Sequence, residues 1–410
     1  MKVTIVGLGY VGFPLTQLCV EKTHSVFGID LDDKKISLIR KGLDPIENKR
    51  ILSFPVSKNY SDFVPESDII IVCVPTPVSE EKTPDLKPLK TAVESIAKNL
   101  KNNPLIIIES TINPGVMEEV VEPIFRSFNL RVGEDYYLAH CPERIDPGNK
   151  TWTVKNIPRV VGAFTKEGLE KAYVFYTSIL EAPVKKLSSI KTVEATKIVE
   201  NTFRDINIAY VNELAKSFDK MNINIMEVIE GASTKPFAFM PHYPGCGVGG
   251  HCIPVDPYYL IDRAKKAGFD HKFLLLAREI NNSMPKYTVE ITQEELNELE
   301  KPLKNTTIGL LGLSYKKNVG DLRESPAIKV KQLFEEKGSK VIVYDPFLPS
   351  LSDVKSLKEL QDKTSYLVLT TDHDEFKELD FGKIDLLIDG RNMFEKTIKI
   401  KGRYRGIGVK

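Results

Sequence analysis

Residues 2–30, KVTIVGLGYVGFPLTQLCVEKTHSVFGID, decide the fold of this 410-residue chain. The run KVTIVGLG is apolar and β-branched and has the length of a strand, and SVFGID has the same character. Between them, YVGFPLTQLCVEK carries apolar residues at helical spacing. The stretch therefore predicts a strand, a helix and a second strand, which together form a βαβ unit.

Apolar runs of strand length continue beyond this unit. They are SDIIIVCVPTP (67–77), PLIIIEST (104–111), YYLAHCPER (136–144) and IPRVVGA (157–163). Because near-continuous apolar strands alternate with helical segments, we expect an α/β fold whose parallel sheet is covered on both faces. The pattern restarts with TIGLLGLSY, KVIVYDP, SYLVLTT and IDLLID, so a second, smaller Rossmann-like parallel sheet is predicted.

A helix of unusual length is predicted in the middle of the chain. From Ser189 to about Asn222 the sequence has no Gly or Pro, which corresponds to one helix roughly 45–50 Å long. A helix of this length commonly bridges domains or forms a dimer seam. Its apolar residues suit helix packing: they are Val193, Ile198, Phe203, Ile206, Val211, Leu214 and Phe218. We expect three domains, comprising residues 1–188, a helical middle part at 189–300 and residues 301–410.

Composition argues against several classes of protein. The formal net charge is +1, which gives no indication of a nucleic-acid partner. No apolar run approaches the roughly 18 residues that a membrane-spanning helix needs. The N-terminus begins directly in the first strand, without a secretory pattern. Five irregularly spaced cysteines favour reduced thiols over a disulfide framework. The expectation is a cytoplasmic protein without a membrane partner.

The turn after the first strand indicates a dinucleotide site. Gly7, Gly9 and Gly12 form G-x-G-x-x-G between a strand and a helix, where backbone N–H groups can approach a pyrophosphate. Asp30 ends the second strand, where its carboxylate would bind the ribose hydroxyls and repel a 2′-phosphate. This pattern favours NAD over NADP, although Lys34 and Lys35 could accept that phosphate. The alternative is a glycine turn in some other α/β fold.

The run GCGVGGHCIPVDP (245–257) indicates a second site. Cys252 follows GVGG, where the backbone can come close to a ligand, and a thiol there could attack a carbonyl carbon. It could also be an ordinary buried cysteine. A metal site with His242, Cys246 and His251 is disfavoured, because adjacent residues 251 and 252 would struggle to ligate one tetrahedral zinc. We therefore predict no metal. Cys19 and Cys73 are expected in the core.

Polar residues elsewhere could assist such a thiol. Lys197, Asn201 and Arg204 are spaced i, i+4, i+7 on the long helix, so they share one face. The lysine and the asparagine could donate hydrogen bonds to a developing oxyanion. The alternative is a solvated stripe on an amphipathic helix. Glu143 follows a predicted strand and is a candidate general base, and Thr111 places a hydroxyl at another strand end.

Taken together, these segments resemble the nucleotide-sugar 6-dehydrogenases, the UDP-glucose/GDP-mannose dehydrogenase family. Nearly the whole chain takes part, with GLGYVG, VPTP, EST-x-x-PG, CPER-x-x-PGN, ENTFRDINIAYVNEL, PGCGVGGHCIPVDP, GLSYKKNVGDLRESPA and DGRN in order. The version KPFAFMPHYPG…GGHCIPVDPYYL followed by EINNSMP looks most like the branch that oxidises UDP-N-acetylhexosamines. Within that branch it is closer to the UDP-N-acetylglucosamine type than to the UDP-N-acetylmannosamine type.

The resemblance implies a four-electron oxidation of sugar C6 by two molecules of NAD, with a thiohemiacetal and then a thioester on Cys252. It implies that Lys197 and Asn201 stabilise the oxyanion and that Asp256 orders the proton and water. Glu143 would be the base in thioester hydrolysis and Thr111 would position water. The remaining implied contacts fall into two sets: Thr76, Lys35 and Arg323 with the cofactor, and Gly249, Gly250, Tyr315, Lys316 and Arg391 with the UDP-sugar. A homodimer is implied as well.

Two positions depart from the UDP-glucose dehydrogenases in that family. Pro147 stands where they have a second glutamate, and Val255 where they have a lysine. Both differences suit a different sugar branch. Three other functions stay open: a UDP-glucose 6-dehydrogenase, a non-catalytic nucleotide-sugar-binding protein, and a two-electron dehydrogenase of the hydroxyacid type.

Overall fold

The structure is a computed structural model, and it describes residues 1–46, 48–79, 83–145, 149, 151–394 and 400–410. Pro147 lies outside the described residues. The chain divides into two compact units, and each is taken by itself below. The first comprises residues 1–200 and 258–268, and the second comprises residues 201–257 and 269–410.

The first unit is built on a sheet that has eight strands within the described residues. In chain order the strands are β1 (Lys2–Val6), β2 (Ser25–Ile29), β3 (Val56–Ser57), β4 (Ile69–Val72), β5 (Leu105–Ile108), β6 (Tyr137–His140), β7 (Arg159–Ala163) and β8 (Val184–Lys186). Their order across the sheet is β3-β2-β1-β4-β5-β6-β7-β8. The pairings are parallel except that of β6 with β7, which is antiparallel. The predicted strands are confirmed.

Helices cover both faces of this sheet, as its continuous apolar strands predict. On β5, Leu105 and Ile107 pack in one buried cluster, whereas Ile106 and Ile108 pack in another. The α-helices that lie wholly in the unit are α1 (Gly12–Glu21), α2 (Asp33–Arg40), α3 (Lys87–Asn99), α4 (Glu122–Ser127) and α5 (Lys166–Ile179). A π-helical turn, Met117–Val121, precedes α4. Side chains of α1 and α5 lie in the first cluster and side chains of α3 and α4 in the second.

The second unit contains a parallel sheet that has five strands within the described residues. Its strands are β9 (Thr307–Leu311), β10 (Lys340–Tyr344), β11 (Tyr366–Leu369), β12 (Leu386–Asp389) and β13 (Arg403–Gly406), in the order β10-β9-β11-β12-β13. The helices α10 (Pro326–Glu336) and α11 (Leu357–Lys363) follow β9 and β10. This sheet confirms the second, smaller Rossmann-like fold.

The remaining α-helices within the described residues are α6 (Ile190–Met221), α7 (Ile225–Ser233), α8 (Asp256–Lys266) and α9 (Lys272–Glu298). The long helix is confirmed as α6, and Val193, Ile198 and Val211 on it are buried. Phe203 on the same helix is 46% exposed. Within the described residues, no helix has the length and apolar character needed to cross a membrane.

Candidate active site

Four segments predicted to carry function in the first unit follow neighbouring strands. The glycine turn follows β1, Thr76 comes after β4, Thr111 after β5 and Glu143 after β6. Because these strands are parallel, their carboxyl ends meet at one edge of the sheet, where ligands of open α/β sheets bind. The Thr76 hydroxyl donates a hydrogen bond of 2.7 Å to the Thr111 carbonyl. The Thr76 carbonyl in turn accepts from the hydroxyl of Tyr259 at 2.5 Å.

The three turn glycines differ in what requires them. Gly7 has φ +93°, and a Cβ there would lie 2.7 Å from the Cys73 carbonyl oxygen. A Cβ on Gly12 would lie 1.9 Å from the Gly7 carbonyl oxygen. Both glycines are therefore required by packing. At Gly9, by contrast, no described atom lies within 4 Å of an added Cβ, so the fold does not require glycine there. Glycine at this position would allow a ligand to approach the backbone closely.

The N-terminus of α1 is suited to a pyrophosphate. Its N-cap residue, Val11, makes no side-chain capping hydrogen bond, and its first turn contains no acidic residue. By comparison, α2 is capped by Asp32 and α5 by Thr165. Because the first N–H groups of a helix lack intrahelical partners, an uncapped N-terminus can bind an anion.

Asp30 lies where an acid can bind a ribose. Its Oδ2 accepts a hydrogen bond from the Leu8 backbone N–H at 2.8 Å and pairs with Lys35 Nζ at 3.3 Å. Its Oδ1 accepts from the Asp32 N–H at 2.9 Å. The turn thus fixes the carboxylate, and Lys35 lies beside it as the resemblance implies. Together with Gly9 and the uncapped helix, this arrangement fits an adenine dinucleotide with unmodified ribose hydroxyls.

Glu143 belongs to a buried ionic cluster that sequence reasoning missed. Arg159 Nη1 lies 3.0 Å from Glu143 Oε2 and 3.3 Å from Glu109 Oε2. Tyr176 donates a hydrogen bond of 2.5 Å to Glu109 Oε1. Glu143 Oε1 accepts from the backbone N–H groups of the next two residues. The sequence signal that could have shown the cluster is one charged residue in each of two otherwise apolar runs: Glu109 in PLIIIEST and Arg159 in IPRVVGA.

Burial controls the charge state of this cluster. All of its side chains are less than a tenth exposed, and one guanidinium faces two carboxylates. Burial raises the pKa of Glu109 above its ordinary range, and the nearby Arg159 opposes that rise. The same guanidinium contacts both carboxylates, so the position of Glu143 depends on Glu109 through Arg159.

Two cysteines of the first unit, Cys19 and Cys73, are expected in the core, and they differ in burial. Cys19 is buried, as predicted, and burial raises the pKa of its thiol to about 12. Cys73 is expected within a strand, but β4 ends at Val72. Cys73 follows it, packs against the first buried cluster and is partly exposed beside the glycine turn. Its surroundings still raise the pKa of this thiol well above the ordinary value, mainly through desolvation.

The first part of α6 belongs to this unit and carries Lys197, whose side chain is largely buried. One turn earlier, Glu194 is fully buried and accepts hydrogen bonds from the backbone N–H groups of Gly115 at 2.6 Å and Met117 at 2.8 Å. Burial raises the pKa of Glu194 to about 7. These two hydrogen bonds fix α6 against the loop after β5. Thr111 lies at the start of that loop, in the segment ESTINPG.

The predicted thiol site lies in the second unit. Cys252 is partly exposed, and its carbonyl accepts hydrogen bonds from the N–H groups of Val255 at 3.1 Å and Asp256 at 2.8 Å. Asp256 is the first residue of α8 and is buried. Its Oδ2 accepts a hydrogen bond of 2.5 Å from Asn201 Nδ2 on α6. The structure therefore brings Asn201 together with Asp256 and the backbone of Cys252, which lie more than fifty residues further along the chain.

The glycines before Cys252 accommodate an aromatic side chain. A Cβ on Gly249 would lie 2.4 Å from Tyr315 Cβ, and one on Gly250 would lie 2.8 Å from the Tyr315 ring. The Gly250 N–H donates to the Arg323 carbonyl at 2.9 Å. Arg391 Nε donates to the Thr370 carbonyl at 2.9 Å. Four of the residues implied to bind the UDP-sugar therefore lie on loops at or near the cysteine loop, and Lys316 is the neighbour of Tyr315.

The loop that carries Tyr315 and Lys316 is fixed by buried groups. Asp345 at the end of β10 accepts hydrogen bonds from the Leu313 N–H, the Ser314 N–H and the Ser314 hydroxyl, each at 2.8 Å. His373 lies 3.3 Å from the same carboxylate oxygen, and its Nδ1 accepts from the Asn318 N–H at 2.8 Å. Because Nδ1 accepts, Nε2 carries the hydrogen that points to Asp345.

The residues considered for a metal site have other surroundings. Cys246 is buried and donates to the Thr370 carbonyl at 3.4 Å. His242 Nδ1 lies 3.1 Å from the Met240 carbonyl. Among the described residues, no group of three or more His, Cys, Asp or Glu side chains is arranged to hold a metal ion.

The fold and the glycine turn of the first unit define a Rossmann-type dehydrogenase that uses NAD. More specifically, the chain belongs to the UDP-glucose/GDP-mannose dehydrogenase family. Residues 1–180 match its NAD binding domain, residues 191–283 its central domain and residues 309–396 its UDP binding domain.

Three relatives show which members of the family are similar. The UDP-N-acetyl-D-glucosamine 6-dehydrogenase of Pseudomonas aeruginosa is 39% identical over 357 residues, which cover 85% of this chain and 83% of that protein. The UDP-N-acetyl-D-mannosamine dehydrogenase of Pyrococcus horikoshii is 34% identical over 424 residues, covering 100% and 99%. A solved structure of a UDP-D-ManNAc dehydrogenase from Pyrococcus horikoshii superposes with a TM-score of 0.93 at 33% identity, again covering 100% and 99%.

Proposed function

We propose that this enzyme oxidises C6 of a UDP-N-acetylhexosamine to the carboxylate, in two successive two-electron steps. Relatives named for UDP-N-acetylglucosamine and UDP-N-acetylmannosamine support the substrate class. The observation that carries the chemistry is the Asn201–Asp256 hydrogen bond next to the backbone of Cys252. This bond holds an amide and a carboxylate next to the loop segment of the partly exposed Cys252, and it supports the proposal because sugar binding alone would not need a thiol there.

The proposed steps balance as follows. NAD, when bound, supplies the hydride acceptor for both oxidations. The C6 alcohol loses a proton and a hydride to become an aldehyde, and the Cys252 sulfur adds to that carbonyl to give a thiohemiacetal. Loss of a second hydride and a proton gives a thioester. Water then attacks the thioester carbon, the C–S bond breaks, and the carboxylate and the thiol are released.

The chain's own residues have separate roles in this proposal. Lys197 and Asn201 donate hydrogen bonds to the oxyanion, and Asp256 orders the proton and water. Glu143 is the base for thioester hydrolysis, and Thr111 positions the attacking water. Glu143 suits this role because Arg159 and two backbone N–H groups fix its carboxylate.

Binding residues follow the same division of the chain. The residues proposed to bind NAD are Gly7, Gly9, Gly12, Asp30, Lys35 and Thr76, and Arg323 is proposed as a further cofactor contact. Gly249, Gly250, Tyr315, Lys316 and Arg391 are proposed to hold the UDP-sugar. The proposed domains are residues 1–188, 189–300 and 301–410, and the three separate family matches support this division. The five cysteines, all within the described residues, form no disulfide, and this supports a reducing, cytoplasmic location.

Counting NADH per sugar tests the function. Four-electron oxidation gives two NADH per UDP-sugar, a hydroxyacid-type reaction gives one, and a binding protein gives none. A panel of UDP-N-acetylglucosamine, UDP-N-acetylmannosamine and UDP-glucose, read at the NADH absorbance, decides the sugar and separates the alternative of a UDP-glucose 6-dehydrogenase.

Two cysteine variants test covalent capture. Cys252→Ser should block the second oxidation or leave a slowly hydrolysed ester, while UDP-sugar binding survives. Cys246→Ser is the matched control, because that thiol is buried in the same loop and bonds to a backbone carbonyl. Native turnover by Cys252→Ser would refute the covalent route.

A homodimer is proposed on a separate observation. Val199, Phe203 and Tyr210 on α6 are 55%, 46% and 57% exposed, and their spacing places them on one stripe of the helix. Exposed apolar stripes of this kind commonly mark a protein interface. A second copy of this chain is the proposed partner, since long helices commonly form dimer seams. Sedimentation of Phe203→Glu should show a monomer where the native chain gives a dimer, and a monomeric native chain would refute the proposal.

A further inference from the structure

A series of hydrogen bonds between buried side chains links an ion pair to the backbone of the loop that leads to Cys252. On α6, Asp205 accepts hydrogen bonds from Arg278 Nη1 at 2.5 Å and from Asn281 Nδ2 at 2.8 Å, both on α9. Asn281 Oδ1 accepts from Asn212 Nδ2 at 2.9 Å. Asn212 Oδ1 accepts from the Gly245 backbone N–H at 3.0 Å. The four side chains are at most 4% exposed.

The order of donors and acceptors in this hydrogen-bond series is set by the Asp205–Arg278 ion pair. Asp205 is a hydrogen-bond acceptor, so the NH₂ group of Asn281 must face it, and that group also donates to the Asp205 backbone carbonyl at 3.0 Å. The Asn281 oxygen then faces Asn212, which must present its own NH₂ group. Consequently the Asn212 oxygen points to Gly245. Turning either amide over would place two oxygens or two NH₂ groups together in a buried site, which is costly.

Residues on α6 and α9 therefore together orient the Asn212 side-chain oxygen that accepts from the Gly245 N–H. Gly245 begins the segment GCGVGGHC, and this loop is also held where the Cys246 N–H donates to the Gly390 carbonyl at 3.0 Å. Near its other end, the Gly250 N–H donates to the Arg323 carbonyl at 2.9 Å. The Asn212 bond differs from these two because a side chain makes it, so one substitution can remove it.

We propose that Asn212 and Asn281 are positioning residues for Cys252: they fix the start of its loop and thereby the place of the thiol. This inference rests on the proposed function of Cys252. Apolar side chains could pack α6 against α9 without a desolvation cost, so a directed polar chain that ends on the loop indicates a role beyond packing. It also gives the EINNSMP segment a role: Asn281 is its first asparagine.

The first test is Asn212→Leu, which has similar volume but removes the acceptor for Gly245. Since an unpaired buried N–H is expensive, kcat should fall roughly tenfold to a hundredfold, with a smaller change in the KM for UDP-sugar. The rate of Cys252 alkylation by iodoacetamide should change as well, whereas NAD affinity should not. Asn297→Leu is the matched control, because Asn297 is an exposed asparagine on α9, the helix that carries Asn281. It should be native in all three measurements.

The second test is Asn212→Asp, which discriminates positioning from packing. When protonated, the introduced carboxyl can donate to Asn281 Oδ1 and accept from Gly245, so it reproduces both bonds. When ionised, it faces the Asn281 oxygen. Charged groups near this position include Asp205 and Arg278 through Asn281, and Lys216 one turn along α6, which donates to Ser283 at 2.5 Å. Arg391 Nη1 lies 3.0 Å from an added Gly245 Cβ. The kcat of the variant relative to the native enzyme should therefore rise as the pH falls.

Either test can overturn the inference. A kcat for Asn212→Leu within twofold of the native value refutes it. If that variant does not fold, a relative kcat of Asn212→Asp that is constant from pH 6 to 9 refutes it instead. Failure of the proposed function has a separate signature, since Cys252→Ser would then keep native turnover. Loss of the second oxidation in Cys252→Ser with a native Asn212→Leu would reject the positioning role alone.

Discussion

Replacing Arg159 with methionine tests the ionic cluster around Glu143 most directly. Its Nη1 lies 3.0 Å from one carboxylate oxygen and 3.3 Å from another, and no side chain of the three is more than 8% exposed. At an effective dielectric constant of about 20, each attraction is about 5 kcal/mol before desolvation is counted. Removing one partner of a buried pair leaves an uncompensated charge and typically costs about 3–5 kcal/mol. We expect the free energy of unfolding to fall by about 4 kcal/mol at neutral pH.

The pH dependence gives this prediction a sign. Burial raises the pKa of Glu109 in the folded chain, so the folded state holds its proton more tightly than the unfolded state. Stability from this group is present at low pH and is lost as the pH rises from the ordinary carboxyl pKa through the raised one. Without Arg159 the pKa rises further, because the guanidinium is what lowers it. The deficit of Arg159→Met should therefore be smaller at pH 5 than at pH 8.

Urea denaturation at several pH values measures both effects. Circular dichroism and the fluorescence of Trp152, the single tryptophan, both report on unfolding, and Trp152 belongs to the first unit. The matched control is Arg126→Met, since Arg126 is 67% exposed and pairs with Glu122. It should cost less than about 1 kcal/mol. Equal losses in the two variants, or a deficit that is as large at pH 5 as at pH 8, would refute the reasoning.

Three further predictions follow from contacts described above. Gly9→Ala should keep native stability but lose NAD affinity, whereas Gly12→Ala should be strongly destabilised, because its Cβ would meet a backbone oxygen. Thermal melts and NAD titration separate the two variants. NAD binding at native strength by a folded Gly9→Ala would contradict the interpretation. His373→Phe should raise the KM for UDP-sugar by roughly tenfold without affecting NAD, because the Asn318 N–H loses its acceptor; steady-state kinetics measure this, and an unchanged KM would count against it. Iodoacetamide at pH 8 should alkylate Cys252 first, since burial raises the pKa of the other four thiols, and peptide mass spectrometry that finds another cysteine ahead of it would reject the prediction.

Much of the fold could be predicted because its signals are local. Each β-strand of the first βαβ unit is a short apolar run, and the glycine turn between β1 and α1 is recognisable within six residues. Strand direction is not local: IPRVVGA predicts a strand, but nothing in those residues indicates that β7 runs antiparallel to β6. That direction depends on the path of the chain between residues 140 and 159.

The candidate site was only partly predictable for the same reason. Cys252 and Asp256 lie on one short segment, so their proximity follows from the sequence. Arg159 pairs with Glu109 across fifty residues, and Asn212 meets Asn281 across 69, so neither partnership leaves a pattern in the chain. Phe203 shows a further limit: apolar spacing on a helix does not distinguish a face buried in its own chain from one that stays exposed.

The two sheets use the same device at the end of the second strand, with different consequences. Asp30 and Asp345 each accept the N–H of a leucine that follows a glycine with φ near +90°. The second carboxylate is saturated, however, by Ser314 and His373, and it is fully buried. The same turn thus carries a predicted ribose-binding carboxylate in the first sheet, whereas in the second sheet its carboxylate holds the loop that carries Ser314 in place. A second adenosine could bind at Asp345 only if the side chains of Ser314 and His373 both gave up their contacts with that carboxylate.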